Sequence, residues 1–229
     1  MQLNHFGDIP KRPLFLEMII QDATDGKLKE TFLSELYERY FFHKFVWDTE
    51  SKFDEIPAGR PLTYSDDLYK GFQEMCYIME SKAGKMIGLQ EGGDYYLKSN
   101  ISENELEPLL LESKISNLNT LLLNSILTTT DARTIEGIRV EFAHRSFQEY
   151  FTARYFYNLL LADYENCKKF LMSVISGAVP SFLINYIEWK DSTQKSMSHE
   201  NFKKIFSEQW PTNSLGDYVT IPLLKRVKV

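Results

Sequence analysis

From Gly137 to Leu160 the chain changes its hydrophobic period once, and that change dictates a strand running straight into a helix. In GIRVEFA, Ile138, Val140 and Phe142 alternate with Arg139 and Glu141, the period-two pattern of a half-buried strand. EFAHRSFQEYFTARYFYNLL, which overlaps its end, is aromatic almost throughout. At helical spacing the aromatic face of 147–160 reads as a side turned to a core. Upstream, ILTTT is equally β-prone and DARTIE between the two is turn-like, so the segments predict a hairpin. His144 and Arg145 therefore stand where hairpin ends and helix begins.

The rest of the chain is helical in pattern. Pro13 precedes an apolar run in which Leu14, Met18 and Gln21, with Phe15 and Ile19, keep helical spacing. A proline's fixed φ and missing N–H suit a helix's first turn. Gly26 breaks that pattern, and LKETFLSELYERYFFHKFVW predicts a second helix through Phe32, Leu36, Tyr40 and Phe41. IPAGRPLTYSDD, with Pro57, Gly59 and Pro61, reads as a linker. A third helix is expected from Asp66, and EGGDYYL is a turn followed by a short extended stretch. Ser102 and Glu105 fit a capping box, in which each side chain satisfies the other residue's orphan N–H. SNLNTLLLNSIL reads as a helix before the hairpin. Beyond Asp163, CKKFLMSVISGAV, PSFLINYIEW and HENFKKIFSEQW are expected as helices, with an irregular end. The fold class is mainly α: a helical domain over 1–62, a winged-helix domain with a short β-hairpin over 63–162, and further helices over 163–229.

Composition narrows the chemistry. At 229 residues with 43% hydrophobic and 14% aromatic content the chain can bury a core. Its net charge of −6 gives no electrostatic footprint for nucleic acid. Two cysteines, Cys76 and Cys167, lie in no CxxC or Cys/His cluster, so neither zinc site nor disulfide framework is expected. No apolar run approaches a membrane span and no leader precedes the first helix, so a reducing cytoplasm is the expected compartment.

Enzymatic motifs are missing. GKMIGLQEGG lacks the Lys-Ser/Thr ending of a phosphate-binding loop and follows no strand. His5, His43, His144 and His199 form no HExxH and no pair at ligand spacing. A GxSxG elbow is absent as well, so no catalytic or metal residue is assigned. Duplex binding is a rival reading, because winged helices often serve it. The recognition helix would be SNLNTLLLNSIL, which has Asn117, Asn119 and Asn124 but no basic residue to meet phosphates.

Two readings of His144 stand side by side. In the plain one it is satisfied by backbone at a strand-to-helix corner, and Arg145 and Glu149 form a surface pair at i, i+4. In the sharper one it sits among outward-pointing N–H groups at the positive end of a helix dipole, where an anion is favoured. Residue types do not decide between them.

FAHRSFQEYFTARYF resembles the signature that closes the winged-helix domain of NACHT-type STAND ATPases, the signal-transducing NTPases that include inflammasome receptors and bacterial antiphage sensors. Phe142, His144, Arg145, Phe147, Gln148, Glu149, Tyr150 and Ala153 fall on signature positions, and Thr152 stands where Ala is common. KRPLFLEMI is similar to the start of the family's first helical domain, with Lys11 where many relatives carry glycine. LSELYERYFFHKFVWD is similar to the helix that comes next. The resemblance implies that Pro13 packs near the adenine of a bound nucleotide and that His144, with Arg145 as a weaker contact, reaches the β-phosphate of ADP. Exchange of ADP for ATP then swings the winged helix away and exposes oligomerisation surfaces. ADP or ATP with Mg would belong to the intact parent. The P-loop core is missing here, so this chain is expected to be a fragment or a split partner that neither hydrolyses ATP nor binds nucleotide tightly alone. Its expected partners are that NTPase domain, homologous protomers and an effector domain, with no membrane. A purely structural helical scaffold is the third reading.

Overall fold

The computed structural model describes residues 13–24, 32–52, 94–95, 100–102, 127–134, 137–175, 177–194 and 199–227. Among them the protein is mainly helical. The elements run α1 (Pro13–Thr24), α2 (Leu33–Lys52), β1 (Asp94–Tyr95), β2 (Asn100–Ser102), β3 (Leu127–Thr134) and β4 (Gly137–Phe142). They continue as α3 (Arg145–Ala162), α4 (Tyr164–Leu171), β5 (Val174–Ile175), α5 (Val179–Gln194), α6 (Glu200–Ser207) and α7 (Leu215–Val227). The linker at 56–67, the third helix from Asp66, Glu105 of the expected capping box and most of the helix before the hairpin lie outside the described residues.

Pro13 opens α1, the position its locked φ favours. β3 and β4 pair antiparallel, from Leu127 opposite Phe142 to Thr134 opposite Gly137, with a register shift between Thr130 and Thr134. β3 runs on to Thr134, through most of the stretch expected as turn. β2 joins the other edge of β4, giving the order β2-β4-β3. A separate parallel pair sets Asp94 against Val174 and Tyr95 against Ile175.

Two expectations are corrected. CKKFLMSVISGAV is not one helix: α4 ends at Leu171, β5 follows, and Gly177 takes a φ of 80° before α5 starts. The β-branched Val174 and Ile175 find a strand partner, which outweighs local helical spacing. The chain end, expected to be irregular, forms α7 despite Pro222 inside it. Leu215, Val219 and Leu223, all fully buried, form an i, i+4, i+8 stripe whose burial offsets the hydrogen bond that Pro222 removes.

One core joins the described helices. Tyr37 and Phe41 of α2 meet Phe147, Tyr150 and Phe151 of α3, with ring centroids 4.6 Å apart for Phe41 and Phe151 and 5.2 Å for the stacked Tyr37 and Tyr150. Phe182 of α5 closes the group edge-on to Tyr37 at 5.0 Å. Aromatic pairs in these geometries add about 0.5–1.5 kcal/mol each beyond their burial. α5 also holds α2 through polar contacts: the Ser34 N–H donates to Asn185 Oδ1 at 2.7 Å, and its hydroxyl donates to the Phe182 carbonyl at 3.2 Å.

Candidate functional site

His144 keeps the extended backbone of the preceding strand, with φ −143° and ψ 131°, and α3 starts one residue later. Its Nδ1 accepts the Ser146 backbone N–H at 3.3 Å and lies 2.7 Å from the Ser146 hydroxyl. The Phe147 N–H donates to the His144 carbonyl at 2.9 Å. His144 is thus the N-cap of α3, satisfying one of the donors that every helix start leaves over. With Nδ1 accepting, the neutral ring carries its proton on Nε2, which is the nitrogen left to donate. The ring rests 5.8 Å from that of Phe147, a buried residue, and this fixes its attitude.

Charge at this corner runs against the usual rule. No acidic residue occupies the first turn of α3, while Arg145 stands at its first position. A cation at a helix N-terminus faces the positive end of the dipole, so the corner lacks its normal counter-charge.

Arg145 and Glu149 do pair, Nε to Oε1 at 3.3 Å, but the pair is not a surface one. The Arg145 side chain is 55% exposed and that of Glu149 only 10%. Glu149 Oε1 also accepts the Ala178 N–H at 3.1 Å, at the start of α5. That helix likewise lacks an acid in its first turn, so α3 supplies one from across the interface. The plain reading of a solvated i, i+4 pair is therefore corrected for Glu149. Spacing gave no sign of the second partner, because it comes from a turn twenty-nine residues downstream.

A second polar group escaped the sequence reading. Between α2 and α3 the Tyr150 hydroxyl donates to Glu38, and Arg154 Nη2 lies 3.2 Å from the same carboxylate. Tyr186 of α5 borders it, with burial and the Glu38 charge holding its hydroxyl protonated far above the ordinary tyrosine range. Burial depresses Lys190, whose Nζ sits 3.8 Å from the Trp189 ring centroid. This group fastens α2, α3 and α5 to one another. Thr152, where the resembling signature has Ala, buries a hydroxyl for which no hydrogen bond is found among the described residues.

Pro13 opens α1, whose main neighbour is α2, whereas His144 and Arg145 open α3, which lies mainly on α5. The adenine-side and phosphate-side candidates thus stand on different helices. No group of three or more His, Cys, Asp or Glu that could hold a metal occurs among the described residues. Nor is any described helix long and apolar enough to cross a membrane.

No family model, curated protein or solved structure matches the chain. The functional reading accordingly rests on the corner itself and on the resemblance of its residues.

Proposed function

We propose that the chain is the regulatory switch module of a NACHT-type STAND ATPase. It comprises a helical domain (1–62), a winged-helix domain (63–162) and the start of a second helical region (163–229). It couples the ADP or ATP state of a neighbouring P-loop NTPase domain, in cis or as a split partner, to oligomerisation and effector activation in the cytoplasm. Bacterial antiphage defence is the setting we favour.

The observation that carries this reading is the His144 corner. Its Nδ1 is committed to the helix cap, so the proton on Nε2 is available to an acceptor outside α3. A first turn without an acid, and an Arg145 side chain more than half exposed beside its partner Glu149, suit an anion at the same place. A phosphate oxygen is the acceptor that such a corner suits, and the β-phosphate of ADP is the one the resemblance implies. The sheet order β2-β4-β3, with a helix leaving β4, agrees with a winged-helix wing. Mg and the remaining phosphate contacts would come from the NTPase core. An ADP-bound resting state is then held by contacts that ATP does not make, which is the differential affinity a switch requires.

The test uses the intact parent protein with His144→Ala and, as control, His199→Ala. Losing one hydrogen bond to a charged phosphate costs roughly 1.5–3 kcal/mol, so His144→Ala should weaken ADP retention about tenfold or more and raise basal signalling. His199→Ala should do neither. Unchanged retention and signalling in His144→Ala would sink the proposal.

A further inference from the structure

We infer that Glu149 is a positioning residue that ties the His144–Arg145 corner to α5, carrying a change at the start of α3 into the C-terminal helices. The link itself stands on the geometry below; its regulatory purpose rests on the phosphate-sensing proposal.

One carboxylate oxygen serves two elements. Oε1 of Glu149 takes the Arg145 guanidinium on its own helix and the Ala178 N–H on the next. The approach that permits this is unusually close. Gly177 has a φ of 80°, in the left-handed region, and a Cβ there would overlap Glu149 Oε1 and lie 3.6 Å from Arg145 Nη2. The backbone angle favours glycine here, and a Cβ would push the Glu149 carboxylate out of its present position. Ala178 is the residue whose carbonyl accepts the Phe182 N–H, so Glu149 holds the nucleation point of α5. From α5 the Ser34 contacts continue the connection to α2.

The shared oxygen sets the coupling. An anion at the start of α3 competes with Glu149 for Arg145, whose side chain is more than half exposed and able to turn outward. Once Arg145 leaves, the carboxylate loses one of the two contacts that fix its position, and the Ala178 hydrogen bond loosens. The two partners of Glu149 are therefore not independent.

Amide hydrogen exchange at Ala178, followed by NMR in the 229-residue chain without any ligand, tests this directly. Arg145→Ala should speed exchange at Ala178 several-fold, because Glu149 Oε1 is the partner the two residues share. Glu149→Gln should speed it roughly tenfold or more, by weakening a hydrogen bond to a charged acceptor. The double variant should be no faster than Glu149→Gln. A Glu149 that merely packed there would leave Ala178 unmoved in Arg145→Ala, or give effects that multiply, and either result overturns the inference. If Glu149→Gln does not fold, Glu149→Asp takes its place in the single and double variants. Because no nucleotide is added, the outcome is separate from that of the ADP-retention experiment.

Discussion

The same four-residue device begins two helices of this protein, and comparing them shows what is particular about one. HRSF opens α3 and HENF opens α6. In each, histidine Nδ1 accepts the backbone N–H two residues on, at 3.3 Å in both cases. In each, the phenylalanine N–H three residues on donates to the histidine carbonyl, and its ring is buried. The backbone capping contacts match, although His144 has a φ of −143° and His199 one of −65°. The residue after the histidine differs: Glu200 at the start of α6 meets the positive dipole end with a negative charge, while Arg145 at the start of α3 does not. The fifth residue on differs too, Lys204 being exposed and Glu149 buried against α5. Capping explains both histidines; at α3 the cap is followed by a cation whose acidic partner is shared with α5.

The strongest way to break the parallel is to remove the phenylalanines. Phe147→Ala and Phe202→Ala should each cost about 3–5 kcal/mol in urea unfolding. Phe147 should be the costlier, because its ring meets Tyr37, Tyr40 and Phe41, whereas the ring neighbour found for Phe202 is Tyr157. A larger loss in Phe202→Ala would mean that α6, not α3, anchors the core.

Next in size is the fifth position. Glu149→Ala leaves the Ala178 N–H without its acceptor and should cost about 1–3 kcal/mol. Lys204→Ala, an exposed change, should stay within about 0.5 kcal/mol. Similar values for the two would make Glu149 another surface charge. The caps themselves should behave alike, with His144→Ala and His199→Ala each costing about 1 kcal/mol and Asn at either position restoring much of it. Unequal losses would show that one histidine does more for stability than cap.

The smallest effect at neutral pH lies where α3 meets α4. Burial pushes the Cys167 thiol up to about 12 from 9.0, and burial with Glu208 nearby pushes Tyr164 up to about 12 from 10.0. The folded protein keeps protons that the unfolded chain releases, so stability should fall as pH rises between about 9 and 12 and be untouched below that window. Unfolding midpoints across this range measure it, and a rise in stability with pH would contradict the assignment. Cys167 should likewise resist alkylation at pH 8 in the native state, as peptide mass spectrometry can show.

Much of this was legible in the residues and some was not, for identifiable reasons. The strand-to-helix corner could be read because both periods are local and the strand pattern, ending at Phe142, stops just before the helical one begins. Pro13 marked the start of α1 through its own backbone. β5 was hidden because its partner, Asp94–Tyr95, lies some eighty residues upstream, and periodicity carries no information about such pairing. α7 was hidden by Gly216 and Pro222, although the stripe of Leu215, Val219 and Leu223 was present; tertiary burial overrode propensity there. Glu149 was legible as an i+4 partner of Arg145 and illegible as the anion of α5, since only folding brings Gly177 beneath it.

The central claim is that His144, unlike its structural twin, faces an anion. ADP titrated into the 229-residue chain to millimolar concentration, with the histidine ring resonances followed by NMR, tests it most directly. The account predicts that the His144 ring signals move progressively while those of His199 stay fixed. Equal movement of both, or none at His144, would contradict it.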